Sequence, residues 1–248
     1  MKLLVDIGNS SIKWCIESAD GLQGFRSLPY DISILNNLLD AEWSRLDTPE
    51  KIIVSNVAGQ AVMNSINSIS DKYWNVRPEY VSVSARACGV KNGYRDIRQL
   101  GTDRWAAVIA AWQIYKKAAC VVDCGTAMTI DAVSPAGEYL GGLIVPGPEL
   151  MQRSLSVKTD ALEVVTDFLE TDEFSDNTEQ GQYSGCILSL VALIEHMFGH
   201  MRKVFGNDPA GVASGSGFVL VEGLLTNNFE YHEDLVLKGL SFLSGDCS

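Results

Sequence analysis

The fold is decided by the run LLVDIGNS at residues 3–10, in which apolar residues lead to an aspartate, a glycine and small polar residues. The same order returns, offset by 117 residues, as CVVDCGTA at residues 120–127. A second apolar run follows each turn, which is the pattern of a β-hairpin with a polar tip. One Asp-x-Gly turn is common, but two at equivalent starts of two half-chains indicate an internal repeat.

The repeat predicts two related domains, residues 1–115 and 116–248, each opening on an Asp-tipped hairpin. Strand-like runs alternate with helix-like runs, for example a strand at 52–57, a helix at 60–73 and a helix at 102–117. This alternation is typical of the α/β class. We therefore expect an α/β fold of two similar domains whose hairpins face each other across a cleft.

Charge limits the classes of partner. The formal net charge is −12, and a negative surface repels phosphate backbones, which argues against nucleic acid as a partner. The same charge gives no long-range attraction to a nucleotide. Any phosphate site must therefore be built locally from backbone N–H groups, a few cations and bound metal.

The sequence also predicts a location. No signal peptide is visible, and no apolar run approaches the ~20 residues that span a bilayer, so we expect no membrane association. None of the six cysteines forms a C-x-x-C pair, which favours free thiols in a reducing compartment. We interpret the chain as cytoplasmic.

The two hairpins carry groups suited to a polyphosphate. Glycine lets the backbone approach phosphate oxygens and point N–H groups at them, and Ser10 and Thr126 add small donors. Asp6 and Asp123 could hold Mg²⁺, a water of its shell or another cation. Lys13, on the first hairpin, is placed to reach a phosphate.

Over residues 1 to about 240 the chain resembles type III pantothenate kinases, with several motifs in the same order. The similar segments are Asp6-Ile7-Gly8-Asn9-Ser10 with Lys13, Asn92-Gly93-Tyr94, Leu100-Gly101-Thr102-Asp103-Arg104, Asp123-Cys124-Gly125-Thr126-Ala127 with Thr129, Gly141-Gly142 through Pro146-Gly147, Asn177-Thr178-Glu179 and a C-terminal strand at Asp234–Leu240.

This resemblance implies an actin-like (ribonuclease H-like) kinase architecture shared with Hsp70. It implies transfer of the γ-phosphoryl group of ATP to the primary hydroxyl of pantothenate, the first step of coenzyme A biosynthesis. It further implies Mg²⁺ with ATP, a monovalent cation such as K⁺ or NH₄⁺, and a homodimer.

The resemblance also implies residue roles. Asp103 is expected to be the general base that takes the proton of the attacking hydroxyl, a role that suits a carboxylate in phosphoryl transfer. Arg104 is expected to bind polar groups of the substrate as a bidentate fork. The residues expected to bind the substrate are Tyr94, Gly101, Thr102 and Thr178. Those expected to bind ATP are Asp6, Gly8, Asn9, Ser10, Lys13 and Thr126. Asp123 is expected to bind the monovalent cation, and Asp6 is expected to bind Mg²⁺ through a water.

Two segments depart from the family pattern. Ile97 stands where a proline is usual, which loosens the backbone of the loop after Tyr94. The late glycine-rich turn is Ser214-Gly215-Ser216-Gly217 rather than Thr-Gly-Gly. A nucleotide-contacting turn between strand and helix is still expected there.

Other interpretations stay open at this point. Asp103 alone could be a helix-start carboxylate stabilised by the helix dipole. The chain could be a non-catalytic regulator on the same fold, or another kinase, ATPase or phosphatase of the actin-like superfamily. His196 and His200, four residues apart, could form half of a metal site, but surface or core histidines are the favoured interpretation.

Overall fold

Two sheets organise the chain in the computed structural model, which describes residues 1–158 and 170–245. The first unit holds Met1–Ile114 together with the segment that starts at Asp234, and the second unit holds Tyr115–Glu233. The first boundary lies next to the one expected from the repeat. The segment after Asp234, which the sequence placed in the second half, belongs to the first unit.

The first unit is built on a five-stranded sheet. Its elements are β1 (Lys2–Ile7), β2 (Ser11–Ser18), β3 (Gly21–Pro29), α1 (Leu35–Trp43), β4 (Lys51–Asn56), α2 (Gln60–Trp74), β5 (Glu79–Tyr80), the short strands β6 (Arg86–Ala87) and β7 (Val90–Asn92), and α3 (Thr102–Tyr115). The sheet order is β3-β2-β1-β4-β5. The first three strands are antiparallel, and β4 and β5 join in parallel.

Alternation along β1 separates two faces of this sheet. Leu3, Val5 and Ile7 belong to a core that includes residues of α1 and α2, whereas Asp6 has the opposite parity and lies on the other face. The short apolar run therefore packs a core on one side and presents a carboxylate on the other.

The second unit repeats this design. Its elements are β8 (Ala119–Cys124), β9 (Ala127–Val133), β10 (Glu138–Pro146), α4 (Pro148–Lys158), α5 (Thr178–Phe205), β11 (Ala210–Ser214), α6 (Val219–Glu222) and β12 (Glu230–Tyr231). These strands have the order β12-β11-β8-β9-β10, with β8 to β10 antiparallel and β11 and β12 parallel to β8.

Strand register confirms the internal repeat. In each unit an antiparallel meander is followed by two parallel strands on the far side of its first strand. Asp6 is the Cα partner of Lys13 and Ser55, and Asp123 is the partner of Thr129 and Ser214. The two aspartates thus occupy equivalent positions, and the predicted α/β, two-domain actin-like class is confirmed.

Helix α5 is a single helix of 28 residues and is apolar enough, by length and composition, to cross a membrane. The sequence prediction that no run reaches this length is therefore wrong for α5. One face of α5 is buried in the core of the second unit, together with residues of β8, β9 and β11. The buried residues of this face include Tyr183, Ile187, Leu190 and Ile194. The apolar content of α5 is explained by that packing.

Helix α7 (Leu235–Ser244) replaces the C-terminal strand that the sequence predicted. A short apolar run does not separate strand from helix by its periodicity. Here Leu235, Leu237 and Leu240 are buried, and the helix packs on β1, β2 and β4. An ion pair of 2.8 Å between Lys238 and Asp234, four residues apart, supports the helical turn.

Gly239 sets how closely α7 approaches α3. A Cβ at this position would lie 2.0 Å from the carbonyl oxygen of Ala106. Gly239→Ala is expected to lower the free energy of unfolding by about 1–3 kcal/mol, because the backbone must shift. Gly199→Ala in α5 is the matched control. A Cβ at position 199 meets no described atom within 4 Å.

That control is expected to raise the unfolding free energy by about 0.5–1 kcal/mol, since alanine favours a helix over glycine. Denaturant titration measures both variants. Equal stabilities of Gly239→Ala and Gly199→Ala would contradict the close approach of the two helices.

The cysteines differ in state. Cys15, Cys120, Cys124 and Cys186 are free and buried, as the sequence indicated. Cys88 is disulfide-bonded, so the expectation of free thiols throughout is wrong for this residue.

Candidate active site

The tip of the first hairpin is fixed by backbone bonds and by Tyr30. The N–H of Gly8 donates to the carbonyl of Ser11 (3.0 Å), and the N–H of Tyr30 donates to the carbonyl of Ser10 (3.1 Å). The Tyr30 hydroxyl donates to the carbonyl of Gly8 (2.8 Å), and burial raises the pKa of Tyr30, so this donor stays protonated. Asn9 and Ser10 remain exposed at the tip.

Asp6 and Lys13 share one face of the sheet below this tip. They are Cα partners across β1 and β2, and directly opposed residues point to the same side. Asp6 is 7% exposed, whereas Lys13 is half-buried. A buried carboxylate beside a cation fits a site for phosphate and metal. The register of β1 and β2 therefore brings together Asp6 and Lys13, both of which were predicted to bind ATP.

The second hairpin tip is clamped by Gly147. The N–H of Gly125 donates to the carbonyl of Ala127 (3.0 Å), and the N–H of Gly147 donates to the carbonyl of Thr126 (2.9 Å). A Cβ at Gly147 would lie 2.0 Å from the carbonyl oxygen of Gly125. Only glycine permits this approach, so Gly147 shapes the loop that exposes Thr126.

Asp123 lies against the late glycine-rich turn. Gly215 has a φ of 85°, and a Cβ there would lie 2.4 Å from the carbonyl oxygen of Cys124 and 2.6 Å from Asp123 Oδ1. The turn therefore packs directly on the carboxylate, and Gly215 is required both for its backbone and for space. Burial, and then the Asp123 carboxylate, raises the pKa of the Cys124 thiol to about 12, so this thiol stays protonated.

The start of α3 positions Asp103. Thr102 Oγ1 lies 3.0 Å from Ser55 Oγ in β4, and the N–H of Arg104 donates to Asp103 Oδ1 (2.7 Å). Ser55 is the register partner of Asp6. The first unit therefore brings the predicted base and the first hairpin aspartate to the same end of its sheet.

Gly101 leaves the space that the Asp103 carboxylate fills. A Cβ at Gly101 would lie 2.4 Å from Asp103 Oδ1 and 3.8 Å from Val57 Cγ1. Gly101→Ala is expected to lower kcat about tenfold, since a displaced catalytic group costs rate steeply. The clash is with the end of a side chain, so the melting temperature should change little; an unaltered kcat would contradict this placement.

Arg104 and Tyr94 form the predicted substrate pair within the first unit. Arg104 is 8% exposed, and its Nη1 donates to the Tyr94 hydroxyl (3.0 Å). The Tyr94 N–H donates to Asn92 Oδ1 (2.9 Å), which fixes the backbone before the ring. Ile97, which replaces the usual proline, begins a short 3₁₀ helix capped by Asp96.

Thr178 is the first residue of α5 and is exposed. Asn177 caps this helix by accepting from the N–H of Gln180 (2.9 Å). Thr178 belongs to the second unit, whereas Tyr94 and Arg104 belong to the first. Its role at the substrate stays a prediction.

Sequence reasoning missed Ser55, Gly147 as a clamp, and Tyr30. Ser55 could have been found by extending the repeat, because Ser55 and Ser214 occupy equivalent positions, beside Asp6 and Asp123, in equivalent parallel strands. Gly147 and Tyr30 act through contacts distant in sequence, for which the run of residues gives no signal.

A cavity of about 570 Å³ in the second unit lies away from these groups. It is lined by Tyr115, Lys117 and Arg202 among others, and it reaches the starts of β8 and β11 rather than their Asp123 and Ser214 ends. Among residues 1–158 and 170–245 no cluster of three metal-ligating side chains occurs, so His196 and His200 gain no third ligand.

Comparison with known proteins identifies relatives along the whole chain. The family described as type III pantothenate kinase matches residues 2–200. A type III pantothenate kinase from Nitrosospira multiformis is 34% identical over 99% of this chain and 92% of its own length. Another from Nitrosomonas eutropha is 35% identical over 98% of this chain and 93% of its own length.

Solved structures share the fold at low identity. A Campylobacter jejuni protein described as of the Baf family of transcriptional activators has a TM-score of 0.60 and 20% identity over 96% of this chain and 95% of that one. MreB 5 of Spiroplasma citri, bound to AMPPNP, has a TM-score of 0.52 and 8% identity over 98% and 95%. The match to MreB 5 supports an actin-like fold.

Proposed function

Because this chain belongs to the type III pantothenate kinase family, it transfers a phosphoryl group from ATP to pantothenate, and we propose that Asp103 is the base of this reaction. The reaction belongs to coenzyme A biosynthesis. The observation that carries the proposal is the placement of the Asp103 carboxylate in the first turn of α3, beside Gly101 and at the Asp6 end of the sheet.

The proposed mechanism uses Asp103 to orient and deprotonate the primary hydroxyl of pantothenate as it attacks the γ-phosphorus. Phosphoryl transfer depends mainly on positioning and on charge stabilisation, so a fixed carboxylate within hydrogen-bond reach is sufficient. The bond from the Arg104 N–H to Asp103 Oδ1 (2.7 Å) supports this role, since it orients the carboxylate at the start of α3.

Arg104 binds the carboxylate of pantothenate in this proposal. Its guanidinium is buried and oriented by the Tyr94 hydroxyl, and a planar guanidinium suits bidentate recognition of a carboxylate. Gly101 and Thr102, which precede Asp103 directly, are proposed to contact pantothenate as well, and Thr178 is proposed as a further substrate residue.

The two hairpin tips bind the phosphates of ATP in this proposal. Exposed Asn9, Ser10 and Thr126 offer donors, and half-buried Lys13 offers a cation. The kinase uses Mg²⁺ with ATP, and the carboxylate oxygens of Asp6 are the type of donor that Mg²⁺ takes, here through a water. The backbones of Gly8 and Gly125 complete the loops.

Asp123 holds the monovalent cation, K⁺ or NH₄⁺, in this proposal. Its carboxylate supplies oxygen ligands, and the backbone of the Gly215 turn packs directly against it. Replacing K⁺ by Na⁺ at constant ionic strength should lower the rate, and Asp123→Ala should remove that difference.

The protein is further proposed to be a cytoplasmic homodimer that binds neither nucleic acid nor membranes. The net charge of −12 opposes binding to both anionic surfaces, and the apolar face of α5 is used in the core. Sedimentation of the purified protein would measure its mass in solution, and a monomer would refute the dimer.

A turnover assay tests the proposed function. The purified chain is mixed with ATP, Mg²⁺ and K⁺, and ADP release is followed with and without pantothenate. Release that depends on pantothenate is expected. ATP hydrolysis indifferent to pantothenate would instead favour an ATPase, and binding without turnover would favour a regulator.

A further inference from the structure

A pair of hydroxyls, one buried and one part-buried, links the start of α3 to the neighbouring strand. Ser55, near the end of β4, is 0% exposed, and its Oγ lies 3.0 Å from Oγ1 of Thr102, the first residue of α3. Each hydroxyl can donate or accept, so the pair satisfies groups whose burial alone would be unfavourable. Among the described residues this is the one hydrogen bond that either side chain forms.

The first turn of a helix depends on such outside contacts. Its N–H groups have no partners within the helix, so side chains and neighbouring elements decide where it sits. Asp103 follows Thr102 directly, and its carboxylate is already confined by Gly101 and the Arg104 N–H. A displacement of Thr102 would therefore move the carboxylate with it.

We infer that Ser55 is a positioning residue for Asp103, an inference that rests on the proposed role of Asp103 as the base. Ser55 acts through Thr102 and fixes the first turn of α3 at the end of β4. Because Ser55 is also the register partner of Asp6, this bond sets the carboxylate of Asp103 relative to the first hairpin.

The chain offers a matched control for a purely structural role. Ser70 in α2 is also 0% exposed and belongs to the first unit, and its Oγ has no hydrogen-bond partner within the described part of the chain. Ser70→Ala removes a buried hydroxyl of the same kind without touching α3. It is expected to keep kcat within about twofold of the wild type.

Steady-state kinetics with a double-mutant cycle test the inference. Ser55→Ala is expected to lower kcat for pantothenate-dependent ADP release about tenfold, with KM for ATP changed less than about twofold, because only the base is displaced. In the Thr102→Val background, which already lacks the bond, Ser55→Ala is expected to have no further effect.

Several results would overturn the inference. A folded Ser55→Ala protein with the kcat of the wild type would do so, as would losses that add in the double variant. If Ser55→Ala is unfolded at the assay temperature, Ser55→Cys keeps most of the volume with only a weak hydrogen-bonding group, and the same tenfold loss is expected.

The proposed function and the positioning role of Ser55 can be refuted by different results. A wild-type chain without pantothenate-dependent turnover would refute the proposed function, and the positioning role with it. Wild-type turnover with an unaffected Ser55→Ala variant would refute the positioning role alone.

Discussion

Asp103→Asn is expected to lower kcat for pantothenate phosphorylation by about 10²- to 10⁴-fold, the usual contribution of a general base. The amide keeps the size of the side chain and can still accept from the Arg104 N–H, but it cannot take a proton. The start of α3 should therefore stay in place. Thermal unfolding is expected to match the wild type, and ATP affinity measured by calorimetry should be retained.

Asp96→Asn provides a matched control for Asp103→Asn. Asp96 also caps the start of a helical turn in the first unit, where it accepts from the Arg98 N–H (3.1 Å), but it is not among the proposed catalytic groups. Its kcat should stay within a few-fold of the wild type. Asp103→Asn turnover at the wild-type rate would refute the assignment of the base.

Gly147→Ala is expected to lower kcat/KM for ATP about 100-fold, since a displacement of about 1 Å at a reacting group can cost this much. The new Cβ would lie 2.0 Å from the Gly125 carbonyl oxygen and 2.9 Å from that of Thr126, so the phosphate loop must move. Both contacts are with backbone, which cannot rotate away. The free energy of unfolding should also fall by about 1–3 kcal/mol.

Gly223→Ala separates the loop effect from a general effect of adding a methyl group. Gly223 ends α6 in the same unit with a φ of −68°, and a Cβ there meets no described atom within 4 Å. Its kinetics and stability should match the wild type. A Gly147→Ala enzyme with normal KM for ATP would mean that the second hairpin does not bind phosphate as proposed.

The repeated Asp-x-Gly runs were sufficient to predict the fold because each carries its own local signal. Apolar alternation, the acid and the glycine turn lie within eight residues of one another, and the structure places Asp6 and Asp123 at equivalent registers. The helix at Gln60–Trp74 was also predicted, since its length allows the helical period to appear.

Features set by distant contacts could not be predicted in this way. The run after Asp234 is apolar in either a strand or a helix, and only its packing on β1, β2 and β4 makes it α7. Gly147 and Gly239 look like ordinary glycines until the carbonyls of Gly125 and Ala106 are placed against them. The repeat could have indicated Ser55 itself, but its bond to Thr102, 47 residues away, has no local signal in the sequence.

The most direct test of the proposed mechanism is a crystal structure of the protein with pantothenate and a non-hydrolysable ATP analogue. An oxygen of Asp103 is expected within about 2.6–3.2 Å of the primary hydroxyl of pantothenate. The phosphates are expected at the backbones of Gly8 and Gly125. A hydroxyl directed away from Asp103, or phosphates bound elsewhere, would contradict the mechanism.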